Sequence, residues 1–153
     1  MSLVKQLWLA TSFLVVTAFA ASLAASLISA HSYYQEQLAL KNIDSANSLA
    51  ITLSHTEKER ALLQAFLDAQ FATGHYQRIN LDVSNEPSFD LQSETTDQNA
   101  PAWFRAIFPL EVPAGLATVS DGWVNYATLA VESDTTYAQA SLWVTTKRLF
   151  LWL

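Results

Sequence analysis

Cysteine is absent from this chain of 153 residues, which removes thiol catalysis, disulfide staples and thiolate metal sites from consideration. Basic residues are also scarce. Eight Lys and Arg against 14 Asp and Glu give a net charge of -6, and a chain without clustered cations does not neutralise nucleic-acid phosphates. Nucleic acid is therefore excluded as a partner. Glycine occurs only three times, and no nucleophile elbow of the GxSxG kind is present. The three histidines, His31, His55 and His75, lack the HxxxH type of spacing that brings two imidazoles to one metal. No metal, cofactor or enzymatic activity is expected, although a Ser/His/Asp or paired-carboxylate site assembles in three dimensions and is not readable from spacing. Lack of cysteine also suits an oxidising compartment, where a lone thiol is a liability.

What the chain does have is strongly partitioned. No charged side chain occurs from Gln6 to Ala30, and every acidic residue lies between Glu36 and Asp134. The uncharged run exceeds the roughly 20 residues that a helix needs to cross hydrocarbon, so residues 1–30 read as a membrane helix. Lys5 on one side and the acidic domain on the other place residue 1 in the cytoplasm and His31 outside. A cleaved signal peptide is the alternative, with Ala18-Phe19-Ala20 as its small-x-small site, but the apolar run continues well past that site. Small residues recur at four-residue spacing, with Ala18, Ser22 and Ser26 on one stripe and Ala21, Ala25 and Ser29 on the next. Such stripes let two helix backbones approach closely, and a homodimer is expected.

At the other end the chain closes as YAQASLWVTTKRLFLWL. Residues 146–153 are read as the start of a second membrane helix, with Lys147 and Arg148 snorkelling at the outer interface. The alternative is an amphipathic helix folded back on the core. Residues 31–145 then form one soluble domain, since about 100 to 120 residues leave no room for a second.

Within that domain, apolar spacing at Tyr34, Leu38, Ala46, Leu49 and Leu53 predicts that the first helix runs on from the membrane. Thr56-Glu57-Lys58-Glu59 has the pattern of a capping box opening a second helix, with Leu62, Leu63, Phe66, Leu67 and Phe71 as its core face and Gly74 as its stop. Ile79, Leu81 and Val83 then alternate with Asn80 and Asp82 as a strand, followed by a turn over residues 84–87. Phe89 and Leu91 suggest a short partner strand. After a polar loop at residues 93–99, a short helix from Pro101 offers Trp103, Phe104, Ile107 and Phe108 as core. Leu116 to Ser120 and Val124 to Val131 read as strands joined at Asp121-Gly122, a strong hairpin signal. The fold class is α+β of a PAS-like type, with a small antiparallel sheet.

Trp123 sits beside that hairpin turn, where side chains face water. An exposed Trp is a large apolar area that a partner would bury, and Trp is enriched among interface hot spots. The competing reading folds its ring back over the sheet, as expected for Trp103 and Trp143.

The start MSLVKQLWLA, the segment Pro101-Ala102-Trp103-Phe104, the stretch ATVSDGW ending at Gly122 and Trp123, and Ala140-Ser141-Leu142-Trp143 occur in an order and spacing that resemble the LapD/MoxY-type periplasmic domains of cyclic-di-GMP receptors. The resemblance covers essentially the whole chain. It implies an inner-membrane protein with a PAS-like periplasmic domain forming a domain-swapped homodimer. A HAMP relay and degenerate GGDEF and EAL domains would follow the second membrane helix. It implies further that, when cyclic-di-GMP binds inside the cell, the periplasmic domain captures a LapG-like calcium-dependent cysteine protease, sparing a surface adhesin and preserving biofilm attachment. In that family a hairpin Gly-Trp inserts its indole into a pocket on the protease. This role carries over onto Gly122 and Trp123, flanked by Asp121, Val124 and Asn125. The flank after the Trp is less polar here than in the best-known member of the family, which leaves the rim contacts open. Two other functions compete: an inward-signalling sensor domain of a histidine kinase, and a cleaved, secreted enzyme.

Overall fold

The computed structural model describes residues 3–73, 75–94 and 100–151. Its first element is one helix, α1, over Leu3–His55, which at 1.5 Å per residue is a rod of about 80 Å. Neither Pro nor Gly interrupts it, so nothing breaks the backbone ladder between the apolar run and the soluble part. Among the described residues α1 is the one helix long and apolar enough to cross a membrane. Inside that stretch the hydroxyls of Thr11 and Thr17 donate to the carbonyls of Leu7 and Phe13, each at 2.8 Å. Both hydroxyls are thereby satisfied without water, as hydrocarbon requires.

The remaining elements are α2 (Arg60–Phe71), β1 (Tyr76–Val83), β2 (Phe89–Gln92), α3 (Ala102–Ile107), β3 (Gly115–Asp121), β4 (Val124–Ser133) and α4 (Thr136–Leu151). The four strands form one antiparallel sheet in the order β2-β1-β4-β3. One face of the sheet is covered by the last third of α1, whose Asn42, Ala46, Leu49, Ala50 and Leu53 are buried. Leu63 and Leu67 of α2 complete that core against Ile79, Leu81, Leu129 and Val131. A second, smaller cluster lies nearer the apolar end of α1. There Phe104, Leu110, Ala138 and Leu142 share a core with Ala30, Tyr34 and Leu38.

Gly115 marks the closest approach of sheet and helix. A Cβ at this position would collide with the backbone oxygen of Asn42, an approach no side chain tolerates. Asn42 itself, though polar, is buried, and both ends of its amide are used. Nδ2 donates to the Pro113 carbonyl at 2.9 Å, and Oδ1 accepts from the Ser133 amide at 2.8 Å. These bonds tie α1 both to the segment ahead of β3 and to the end of β4.

Several expectations are corrected. The capping box does not form: the Thr56 hydroxyl donates backward to the Thr52 carbonyl at 2.8 Å, and α2 begins only after Glu59, which makes no side-chain cap bond. Lys58 instead closes the end of α1, its ammonium donating to the carbonyls of Leu53, Ser54 and Thr56, where the helix dipole favours a cation. Leu62 is exposed rather than core, because the side of α2 that meets the sheet carries Leu63 and Leu67. The helix ends at Phe71 with Ala72 as its C-cap. Gly74, the expected stop, and residues 95–99 of the polar loop lie outside the described residues. In α3 only Phe104 is buried, whereas Trp103 and Ile107 face outward at 57% and 61% exposure. The final hairpin turns at Gly122-Trp123, one residue later than expected, since Asp121 and Val124 are paired.

Candidate protein-binding site

The β3–β4 hairpin carries the residues singled out for recognition, and it brings all five of them together at its tip. Asp121, Gly122, Trp123, Val124 and Asn125 are each exposed, Trp123 completely so at 103%. The alternative in which the indole folds back over the sheet is thereby set aside. Among the described residues Trp123 shares no ring contact, while Trp103 and Trp143 stack against each other and against Phe104.

Local geometry explains why the tip points away from the fold. Gly122 takes φ +70°, a conformation open to glycine at little cost. Trp123 keeps a negative φ, and a two-residue loop with the positive φ on a first-position glycine follows the II′ pattern, whose twist suits a tight hairpin. The Ser120 hydroxyl, within the loop's mouth, reaches the Gly122 carbonyl at 3.1 Å and the Val124 carbonyl at 3.4 Å. Just below, the register shifts by one residue: Val119 faces Ala127, yet Ser120 faces Asn125. Tyr126 is the extra residue of this β-bulge, a feature that increases local twist and re-aims what lies beyond it.

The base of the tip is fastened to α1. The Ser120 amide donates to Ser54 Oγ at 2.9 Å, and that hydroxyl donates in turn to the Ala50 carbonyl at 2.7 Å. The ring of Tyr126 lies beneath the Lys58 ammonium, 5.9 Å from its centroid. Burial raises the Tyr126 pKa, the nearby carboxylates of Glu86 and Asp121 adding to the effect; the phenol is therefore neutral at physiological pH. Ser54, Ser120 and Tyr126 were not legible as site residues, since their role depends on a contact between positions more than sixty residues apart in sequence.

The tip is thus a small apolar knob, Trp123 with the exposed Val124 beside it, and its one carboxylate is Asp121. A surface of this shape is complementary in form to a concave apolar pocket able to take an indole. Among the described residues, no group of three or more His, Cys, Asp or Glu is placed to hold a metal ion. His31 is bonded to the Pro109 carbonyl at 2.8 Å, and the backbone carbonyl of His75 accepts from Asp134.

Comparison with known proteins adds the relationship that geometry alone does not give. The sequence profile of the LapD/MoxY periplasmic domain family matches residues 23–143. The solved structure of the Pseudomonas fluorescens LapD periplasmic domain is 29% identical over 78% of this chain and 96% of that one, with a TM-score of 0.42. No curated protein gives a significant match.

Proposed function

The chain belongs to the LapD/MoxY periplasmic domain family, and from that membership we propose that it is the output domain of an inner-membrane cyclic-di-GMP receptor, sequestering a LapG-like periplasmic cysteine protease at the β3–β4 hairpin. The single observation that supports this reading best is the fully exposed indole of Trp123 on a turn fastened to α1. An apolar area of this size held in water gains only when a partner covers it. Gly122 sets the turn, Trp123 is the anchor, and Asp121, Val124 and Asn125 form the rim.

The flow of information in this reading is outward. A cytoplasmic ligand biases the packing of two copies of the protein, and α1 carries that bias from the membrane to Ser54, which holds the hairpin. Sequestering the protease keeps a surface adhesin intact and favours attachment. The test is capture of purified LapG-like protease by the membrane-embedded protein. Trp123→Ala and Trp123→Glu are expected to abolish capture with the fold unaltered; undiminished capture by both would refute the proposal.

A second reading, a ligand-sensing domain of a histidine kinase, draws on an open groove of about 590 Å³ beside α1, the segment ahead of β3 and the end of β4, lined by Asn42, Gln77, Glu111, Glu132 and Ser133 among others. Its volume lies in the range of small-molecule sites. Protease capture that depends on Trp123 separates the two, because a sensor of this kind has no use for an indole at the hairpin tip.

A further inference from the structure

Trp103 and Ile107 leave a large apolar face on α3 uncovered, and its height along α1 is fixed by hydrogen bonds. His31 Nε2 meets the Pro109 carbonyl at 2.8 Å, Gln35 Nε2 donates to the Glu111 carbonyl at 3.2 Å, and Asn42 Nδ2 donates to the Pro113 carbonyl at 2.9 Å. As residues 109, 111 and 113 follow one another, their partners on α1 move away from the apolar run. Helix α3, which precedes them, packs its Phe104 into one cluster with Ala30, Tyr34 and Leu38, beside the point where the uncharged stretch of α1 gives way to the domain.

Helix α4 arrives at the same height from the other direction. It starts three residues after Ser133, whose amide is held by Asn42, and its Ala138 and Leu142 share a cluster with Leu38, Tyr34 and Ala30. Its later turns run on toward the apolar end of α1. Between α3 and α4, Trp103, Trp143, Thr146, Lys147 and Leu151 line an apolar groove of about 490 Å³. The two indoles meet edge to face with centroids 5.4 Å apart, and the Lys147 ammonium stands 5.3 Å from the Trp143 ring.

Two indoles, an exposed isoleucine and a lysine at the end of a membrane-crossing run have the composition of an interfacial belt. Indole is amphipathic and settles at headgroup level, while a lysine stem lies along apolar surface with its ammonium among phosphates. We propose that the Trp103–Ile107 face of α3 and the groove beside Trp143 dock onto the periplasm-facing leaflet of the membrane crossed by α1, taking a phospholipid as occupant. The upper acyl and glycerol region lies against the indoles and the phosphate near Lys147. The contact holds the domain at a set angle to the bilayer and is separate from the protease-binding hairpin. It rests on the reading of α1 as a membrane span.

Because these 153 residues contain no cysteine, single-cysteine variants of this chain can carry a spin label without background from within it. In nanodiscs of phosphatidylethanolamine and phosphatidylglycerol, collision with oxygen and with a water-soluble nickel chelate reports depth. Labels on Trp103→Cys and Ile107→Cys are expected at headgroup depth, between Val15→Cys in the bilayer centre and Val124→Cys in water, with nickel collision several-fold below that at Val124. Nickel access at 103 and 107 equal to that at Val124 overturns the inference, as does shielding from both reagents, which assigns the face to a protein partner. A water-like signal at Val15 refutes the membrane span itself and the inference with it.

Discussion

Asn42 accepts the backbone amide of Ser133 at 2.8 Å through the same side chain that donates to Pro113 at 2.9 Å, so one buried amide joins α1 to both sides of the hairpin's sequence. Leaving a buried polar group without its partner costs about 1–3 kcal/mol. Asn42→Ala strands the buried Ser133 amide, whereas the carbonyl of exposed Pro113 can turn to water, and one loss of that size is expected on thermal unfolding in detergent. Wild-type stability in Asn42→Ala would show that water replaces the amide without penalty.

Gly115 gives a sharper steric test. Its substitution by alanine sets a Cβ against backbone atoms of Asn42 and Ile43, which have no rotamer by which to retreat. Overpacking commonly costs about 1–3 kcal/mol, and Gly115→Ala is expected at or above the top of that range. The same variant at Gly122 meets nothing within 4 Å; it suffers only the positive φ.

At the tip, stability and binding are expected to part company. Trp123→Ala removes a side chain that is completely exposed, so its unfolding free energy stays within about 0.5 kcal/mol of wild type. Loss of a hot-spot Trp costs about 2 kcal/mol or more of binding, a drop of roughly thirtyfold or greater in affinity for the protease by calorimetry. Gly122→Ala, strained by about 1–2 kcal/mol, is expected to weaken binding as well, by tilting the indole.

Ser54→Ala tests the fastening of the hairpin. The Ser120 amide loses its acceptor, and a bond worth about 1 kcal/mol translates to roughly fivefold faster hydrogen exchange at that amide. Exchange unchanged at Ser120 would mean that the hairpin is held by its ladder alone.

Across the sheet, Arg78 grips Asp90 with two bonds, at 2.8 and 2.9 Å. The hydrogen bond from Arg78 is the main cause holding the Asp90 carboxyl below its usual range; desolvation opposes it, and the guanidinium charge assists. The folded pKa therefore lies below the unfolded value of about 3.9. The pair's contribution is present above that pH and fades as pH falls through the lowered folded value. Arg78→Gln is expected to return the Asp90 titration, followed by carboxyl-carbon NMR, to the ordinary range.

Periodic features were the legible ones. The helical spacing through Leu53 and the alternation from Ile79 to Val83 each matched a repeat set by backbone geometry, and the structure follows both. Signals resting on a few neighbouring residues were less secure. Thr56 and Lys58 satisfied the end of the helix behind them instead of the start of the one ahead, because both ends offer unpaired backbone groups to the same side chains. Apolar identity also did not decide burial at Leu62, Trp103 and Ile107; which side of a short helix meets the core is settled by neighbours distant in sequence. The hairpin was readable from Asp121-Gly122, but whether the Trp123 ring faced water or folded back over the sheet was not, because that depends on a turn placed one residue later and on the bulge at Tyr126. The hairpin's fastening through Ser54, and the polar joint at Asn42, depend on residues brought together only by the fold.

The unbroken course of α1 gives the domain the mechanics of a lever. From Ala30 to Ser54 the helix extends about 36 Å, so a tilt of about 5° at the bilayer displaces Ser54 by about 3 Å, comparable to the length of the hydrogen bond that fastens it to the hairpin. A small angular change in the membrane is therefore magnified at Ser54 and at the base of the hairpin it holds.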